Sequence, residues 1–184
     1  MGLALHYRGT LRDVAQLPEL VSEVEAICTE LGWTYHIFND ANVRGICCWP
    51  EGCEPLFFTV HRGPEFISPV LLQFELEPCT DISVKTQYAG VEAHMAVVKL
   101  LRHLSGKYCS QFECHDEGYY WEQDDEVLLR KRFAEYNALV SLVAGALENL
   151  EPRQGESADA LADRIEEALK GLDGEVARGK RGKR

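Results

Sequence analysis

The chain has 184 residues, near the length of one ordinary domain, and its 46% hydrophobic and 27% charged content excludes a disordered or collagen-like polymer. Lys and Arg number 19 against 30 Asp and Glu, and five of those bases fall in residues 178–184, so residues 1–177 hold 14 bases against 30 acids. With a formal net charge of -11, a general nucleic-acid-binding surface on the folded body is not expected, and the basic tail supports only weak, salt-sensitive contacts.

Residues 3–9 read as a first strand. Val14, Leu17, Leu20, Val21, Val24, Ile27, Cys28 and Leu31 then recur at helical spacing, with Pro18 in the opening turn and Gly32 as the stop. Trp33–Phe38 alternates ring and polar residues, Asn39–Asn42 has turn chemistry, and Val43–Trp49 reads as the returning strand. After the turn Pro50–Pro55 come a strand Leu56–His61, the turn Arg62–Glu65, and a strand from Phe66 to about Leu76 in which Pro69 marks an edge or a bulge. A second helix is expected from about Gly90 to Leu104, followed by a strand Tyr108–Cys114 and a long helix capped by Gln123-Asp124-Asp125 and running to about Leu150. Ser157 caps a last amphipathic helix, and the tail from Gly174 is Gly-rich and basic.

This order predicts an α+β fold, a curved, mainly antiparallel sheet with helices packed on one face and C-terminal helices beyond it. Residues 1–150 are read as a single α+β domain, 151–173 as a linker and C-terminal amphipathic helix, and 174–184 as a disordered basic tail. No apolar run is long enough to span a membrane and the first residues lack signal-peptide character, so no membrane association and a cytoplasmic location are expected. Seven cysteines without a Cys-x-x-Cys pair read as free thiols, with no metal site and no cofactor fingerprint.

Four places carry candidate chemistry. Cys47, Cys48 and Cys53 cluster at a turn, but adjacent strand residues point to opposite faces and do not converge on zinc. Lys85-Thr86-Gln87-Tyr88-Ala89-Gly90 leads into the second helix, where free N–H groups and Lys85 suit an anion or simply make a polar approach to the helix. His94 falls inside that helix's apolar arc, as a core histidine or as a general base in a cleft between sheet and helix. The densest cluster is His115–Glu122, whose carboxylates and rings read as a ligand pocket, a partner-binding hot spot, or a polar turn covering the sheet edge.

Two functions follow. The first is an acidic binding or regulatory module that meets a protein partner, or a second copy of itself, through Asp116, Tyr119, Tyr120 and Trp121. The alternative is a small hydrolase or transferase using His94 with Glu54, Glu117 and Lys85.

Overall fold

The computed structural model describes residues 3–148, Ser157 and 159–166. The chain divides into two compact units, residues 1–133 and 134–184.

Within the first unit, six strands form two three-stranded antiparallel sheets, so the α+β class stands while the expected single sheet is divided. β1 (Ala4–Leu11) is the centre of one sheet, between β5 (Ile82–Lys85) and β6 (Cys109–Asp116). β2 (Thr34–Asn39), β3 (Arg44–Trp49) and β4 (Leu56–Val60) make the other as a meander. Strand alternation sends Leu5, Tyr7 and Leu11 of β1 into the core and Arg8 to solvent.

Two devices join the sheets. Residues 64–67 lie between them: Leu11 N–H donates to Pro64 O at 2.9 Å, Phe66 N–H to Gly9 O at 2.8 Å, and Ile67 N–H to Thr59 O at 2.8 Å. The Tyr7 hydroxyl donates to Phe57 O at 3.0 Å and accepts from Phe57 N–H at 2.9 Å, which satisfies both backbone groups of a buried β4 residue.

α1 (Leu17–Leu31) follows a short 3₁₀ turn and packs on β2 and β3 through Leu20, Val24 and Cys28. Pro18 lies in its first turn, and Gly32 closes it in the left-handed region at φ 68°, a conformation costly for any residue with a Cβ. α2 (Val91–Tyr108) packs on β6 and buries His94, Val97, Val98, Leu101 and Leu104, the arc read from its periodicity. The two helices are joined by Glu23, which accepts from His103 Nε2 at 2.6 Å, from Lys107 Nζ at 2.9 Å and from the Tyr108 hydroxyl.

Two expectations are corrected and one strand is added. The strand read over Phe66–Leu76 is extended only through residue 68; a 3₁₀ helix, Pro69–Phe74, replaces the rest. Pro69 has no N–H for a ladder and its fixed φ opens a helical turn, while Val70, Leu71 and Phe74 are exposed and gain no burial from a strand. α2 does not stop near Leu104, before Ser105-Gly106, but runs to Tyr108, because burial of the Tyr108 ring and its bond to Glu23 outweigh the cost of one helical glycine. β5, left unassigned in the sequence, is four residues long, with Ile82 and Val84 inward.

After β6 come a single turn, α3 (Tyr120–Gln123), and the long α4 (Glu126–Glu148). Asp125 caps α4, its Oδ1 accepting from Leu128 N–H at 3.0 Å. Leu129 and Phe133 of α4 are buried in the first unit. The second unit contains the rest of α4, where Leu139, Val140 and Leu147 are exposed, and a helix at 159–166 whose start Ser157 caps through Ala160 N–H at 3.2 Å. The expected linker 151–156 and tail 174–184 lie outside the described residues. Among the described residues, no helix is long and apolar enough to cross a membrane.

Candidate functional site

β6 ends at Asp116, whose side chain turns inward. Its Oδ1 accepts from Gly118 N–H at 2.6 Å, and its Oδ2 accepts from Tyr120 N–H at 2.8 Å and Trp121 N–H at 3.0 Å. One carboxylate therefore dictates the path of the whole 116–121 loop. The fourth donor is His94, whose Nε2 lies 3.0 Å from Oδ2. Burial pushes the Asp116 carboxyl up, but His94 and the backbone N–H groups outweigh it and hold it below the ordinary carboxylate value.

The opposite nitrogen of His94, Nδ1, lies 2.7 Å from Thr86 Oγ1, and that hydroxyl lies 3.3 Å from Leu3 O. The Thr86 hydroxyl carries one proton, and donating it to Leu3 O leaves the hydroxyl oxygen facing Nδ1. Thr86, His94 and Asp116 thus form a hydroxyl–imidazole–carboxylate row, the composition of a nucleophile relay. All three residues have 0% exposure, so the hydroxyl meets protein and not solvent. Phe133 of α4 packs edge-on against the imidazole at 5.6 Å. Gly118 closes another side: a Cβ there would stand 2.6 Å from Leu129 and 3.0 Å from Asp116 Oδ1, so only glycine lets the loop sit this close.

The loop's outer surface is different. Tyr119 has a left-handed backbone, φ 63°, unusual for a bulky residue, and its side chain is 38% exposed. The Arg132 guanidinium lies over its ring at 5.1 Å. Tyr120 is buried and Trp121 half-buried, the latter against Phe112 at 5.6 Å. Arg102 of α2 lies over both rings, at 5.6 and 5.7 Å, while donating to Tyr120 O, to Trp121 O and to Asp124.

Of the four residues read as binding contacts, Tyr119 is thus exposed, Trp121 is half-buried, and Asp116 and Tyr120 are buried. The residues of the enzyme reading are not brought into one bonded set. Glu54 Oε2 accepts from the backbone N–H of Lys85 at 2.9 Å, and Glu117 Oε2 accepts from Ala4 N–H at 2.9 Å. His94 bonds to neither carboxylate, its partners being Thr86 and Asp116. A surface depression of about 410 Å³ lies on the outer face of β1 and β6, lined in part by His6, Arg8, Asp81 and His115, and includes none of the four.

Two contributors escaped the sequence reading. Thr86 was visible only as part of a polar stretch ahead of α2, and Arg102 lay on that helix's charged face, where a solvated side chain is the ordinary expectation. A basic residue six before a helix end, facing a loop of rings, is a signal only once the loop's position is known.

The cysteines are free thiols. Burial pushes Cys47, Cys53 and Cys109 up to about 11 and Cys114 up to about 12, so these four are protonated near neutrality. Among the described residues no three His, Cys, Asp or Glu side chains converge as a metal site.

Compared with known proteins, the chain matches no family model, no curated protein and no solved structure.

Proposed function

We propose that this chain is a protein-binding module whose anchor is Tyr119. The observation that carries this reading is a tyrosine held in a left-handed backbone, with its ring toward solvent, on a loop fixed by a fully buried and fully bonded carboxylate. A left-handed non-glycine residue costs on the order of 1–2 kcal/mol, and such strain persists only where the surroundings impose it. A pre-ordered aromatic loses little freedom on binding, and tyrosine is among the residues that dominate protein interfaces.

The alternative, a small hydrolase or transferase, draws less support. His94 is sealed in the core, and Glu54 and Glu117 are committed to backbone N–H groups.

Tyr119→Gly separates display from scaffold. Glycine accepts the backbone without strain, so stability should stay level or rise by about 1 kcal/mol in chemical denaturation. Binding to the protein partner, identified by cross-linking and mass spectrometry in cells producing the chain, should fall by roughly tenfold or more, the loss of about 2 kcal/mol expected of a hot-spot ring. Partner recovery that is unchanged in Tyr119→Gly overturns the reading.

A further inference from the structure

The two sheets present four lateral edges, and three of them are bonded by other segments over part of their length. On β5, Glu54 N–H donates to Lys85 O at 3.0 Å and Glu54 Oε2 accepts from Lys85 N–H. On β6, Glu122 Oε1 accepts from Asp116 N–H at 3.1 Å and the Arg12 guanidinium donates to Cys109 O at 3.1 Å. β4 is covered at Thr59 by Ile67.

The fourth edge is β2. Among the described residues nothing bonds to its outer side, and all six of its residues are exposed or half-buried. Proteins usually guard such an edge with a charge, a proline or a bulge. Thr34-Tyr35-His36-Ile37-Phe38-Asn39 has no Lys, Arg, Asp, Glu or Pro, and its register with β3 runs unbroken. Ile37 is 40% exposed.

The hairpin also fixes which backbone groups face outward. Asp40 N–H donates to Val43 O at 3.1 Å, so alternation along the ladder puts the bonded pairs at Thr34, His36 and Phe38. Tyr35, Ile37 and Asn39 turn their N–H and C=O groups away from β3.

We propose that β2 pairs antiparallel with β2 of a second copy of this chain, about a two-fold axis through Ile37, giving one continuous six-stranded sheet. In that register Ile37 faces its own copy and Tyr35 faces Asn39, so every outward group is used, in about six backbone bonds. A one-residue slip would set outward groups against inward ones. His36 and Phe38, already in edge contact at 4.6 Å on the other face, come opposite each other across the axis and form an aromatic row.

Self-complementarity favours a second copy at this edge: about the two-fold, β2 meets a strand of the same length with the same outward groups at Tyr35, Ile37 and Asn39. Each chain has a net charge of -11, which opposes self-association through an acidic surface, whereas β2 places no like charges opposite each other. A foreign strand would find no charge here to be selected by. The two-fold pairing also consumes the open edge and closes the assembly at two copies.

Sedimentation equilibrium across a wide concentration range, combined with amide exchange by NMR, tests this on the full chain. A monomer–dimer equilibrium is expected, tightening as salt screens the residual acidic repulsion. The amides of Tyr35, Ile37 and Asn39 should become protected as concentration rises, while those of His36 and Phe38 stay protected throughout by β3. Ile37→Lys, which sets two lysines face to face, should weaken the dimer roughly tenfold or more while leaving the melting temperature of dilute, monomeric protein unchanged. Ile37→Thr, which keeps the strand-forming branch at Cβ, serves if the lysine variant does not fold, and should weaken the dimer in the same direction. A chain that stays monomeric, a dimer in which the three outward amides exchange freely, or one indifferent to both substitutions would overturn the proposal.

Discussion

Asp116 binds four donors with one carboxylate and so connects α2 to the loop that displays Tyr119. Replacing it with Asn leaves one oxygen where two accept, and buries unpaired N–H groups beside His94. The expected loss is about 3–5 kcal/mol, read from the midpoint of urea unfolding. Its folded-state pKa is lowered, so its contribution is fully present above the unfolded carboxyl value of about 3.9 and is lost as pH falls through the folded value. Asp116→Asn should therefore lose less additional stability than the wild type on acidification through that window. The thiols behave in the opposite sense. With Cys53 near 11 and Cys114 near 12, burial favours the protonated form, so alkylation of both by iodoacetamide at pH 7.5 should be slow and should rise about tenfold per pH unit. Rapid labelling of either in the native protein at neutral pH would show a thiolate that this environment does not favour. The sequence revealed His94 as a polar residue in an apolar arc, and Asp116 as a member of a dense cluster. Their pairing was hidden, because 22 positions separate them and only the packing of α2 on β6 brings them together.

At the level of elements, legibility followed length and punctuation. α1 repeats its apolar spacing over four turns between Pro18 and Gly32, and its observed bounds match that pattern. β5 is too short for alternation to register, and 69–74 reads as a strand by apolar content until Pro69 is allowed to start a 3₁₀ turn. The junction of α1 with α2 rests on Glu23. Burial pushes its carboxyl up, but bonds from His103, Tyr108 and Lys107 outweigh that and hold it down to about 2. Its contribution is present above the ordinary value of 4.5 and is lost as pH falls toward about 2. Glu23→Gln should cost about 1 kcal/mol at neutral pH after solvent screening, and the difference from wild type should shrink on acidification. A constant difference between pH 7 and pH 2 would mean that the carboxylate's charge does not contribute.

For the whole molecule, the first unit surrounds the buried Thr86–His94–Asp116 row with apolar side chains and turns the loop beside it outward. The second unit leaves Leu139, Val140, Leu142 and Leu147 exposed on a helix. Contact through a displayed ring suits a chain whose net charge of -11 acts at long range and leaves short-range apolar groups to decide affinity. The most direct measurement is photo-cross-linking in cells, with a benzophenone amino acid placed at Tyr119 and, as a control, at Tyr88, which is 75% exposed on the loop before α2. A discrete higher-mass adduct at position 119, in clear excess over position 88, is expected. Equal yields at the two positions, or none at 119, would contradict a partner surface centred on Tyr119.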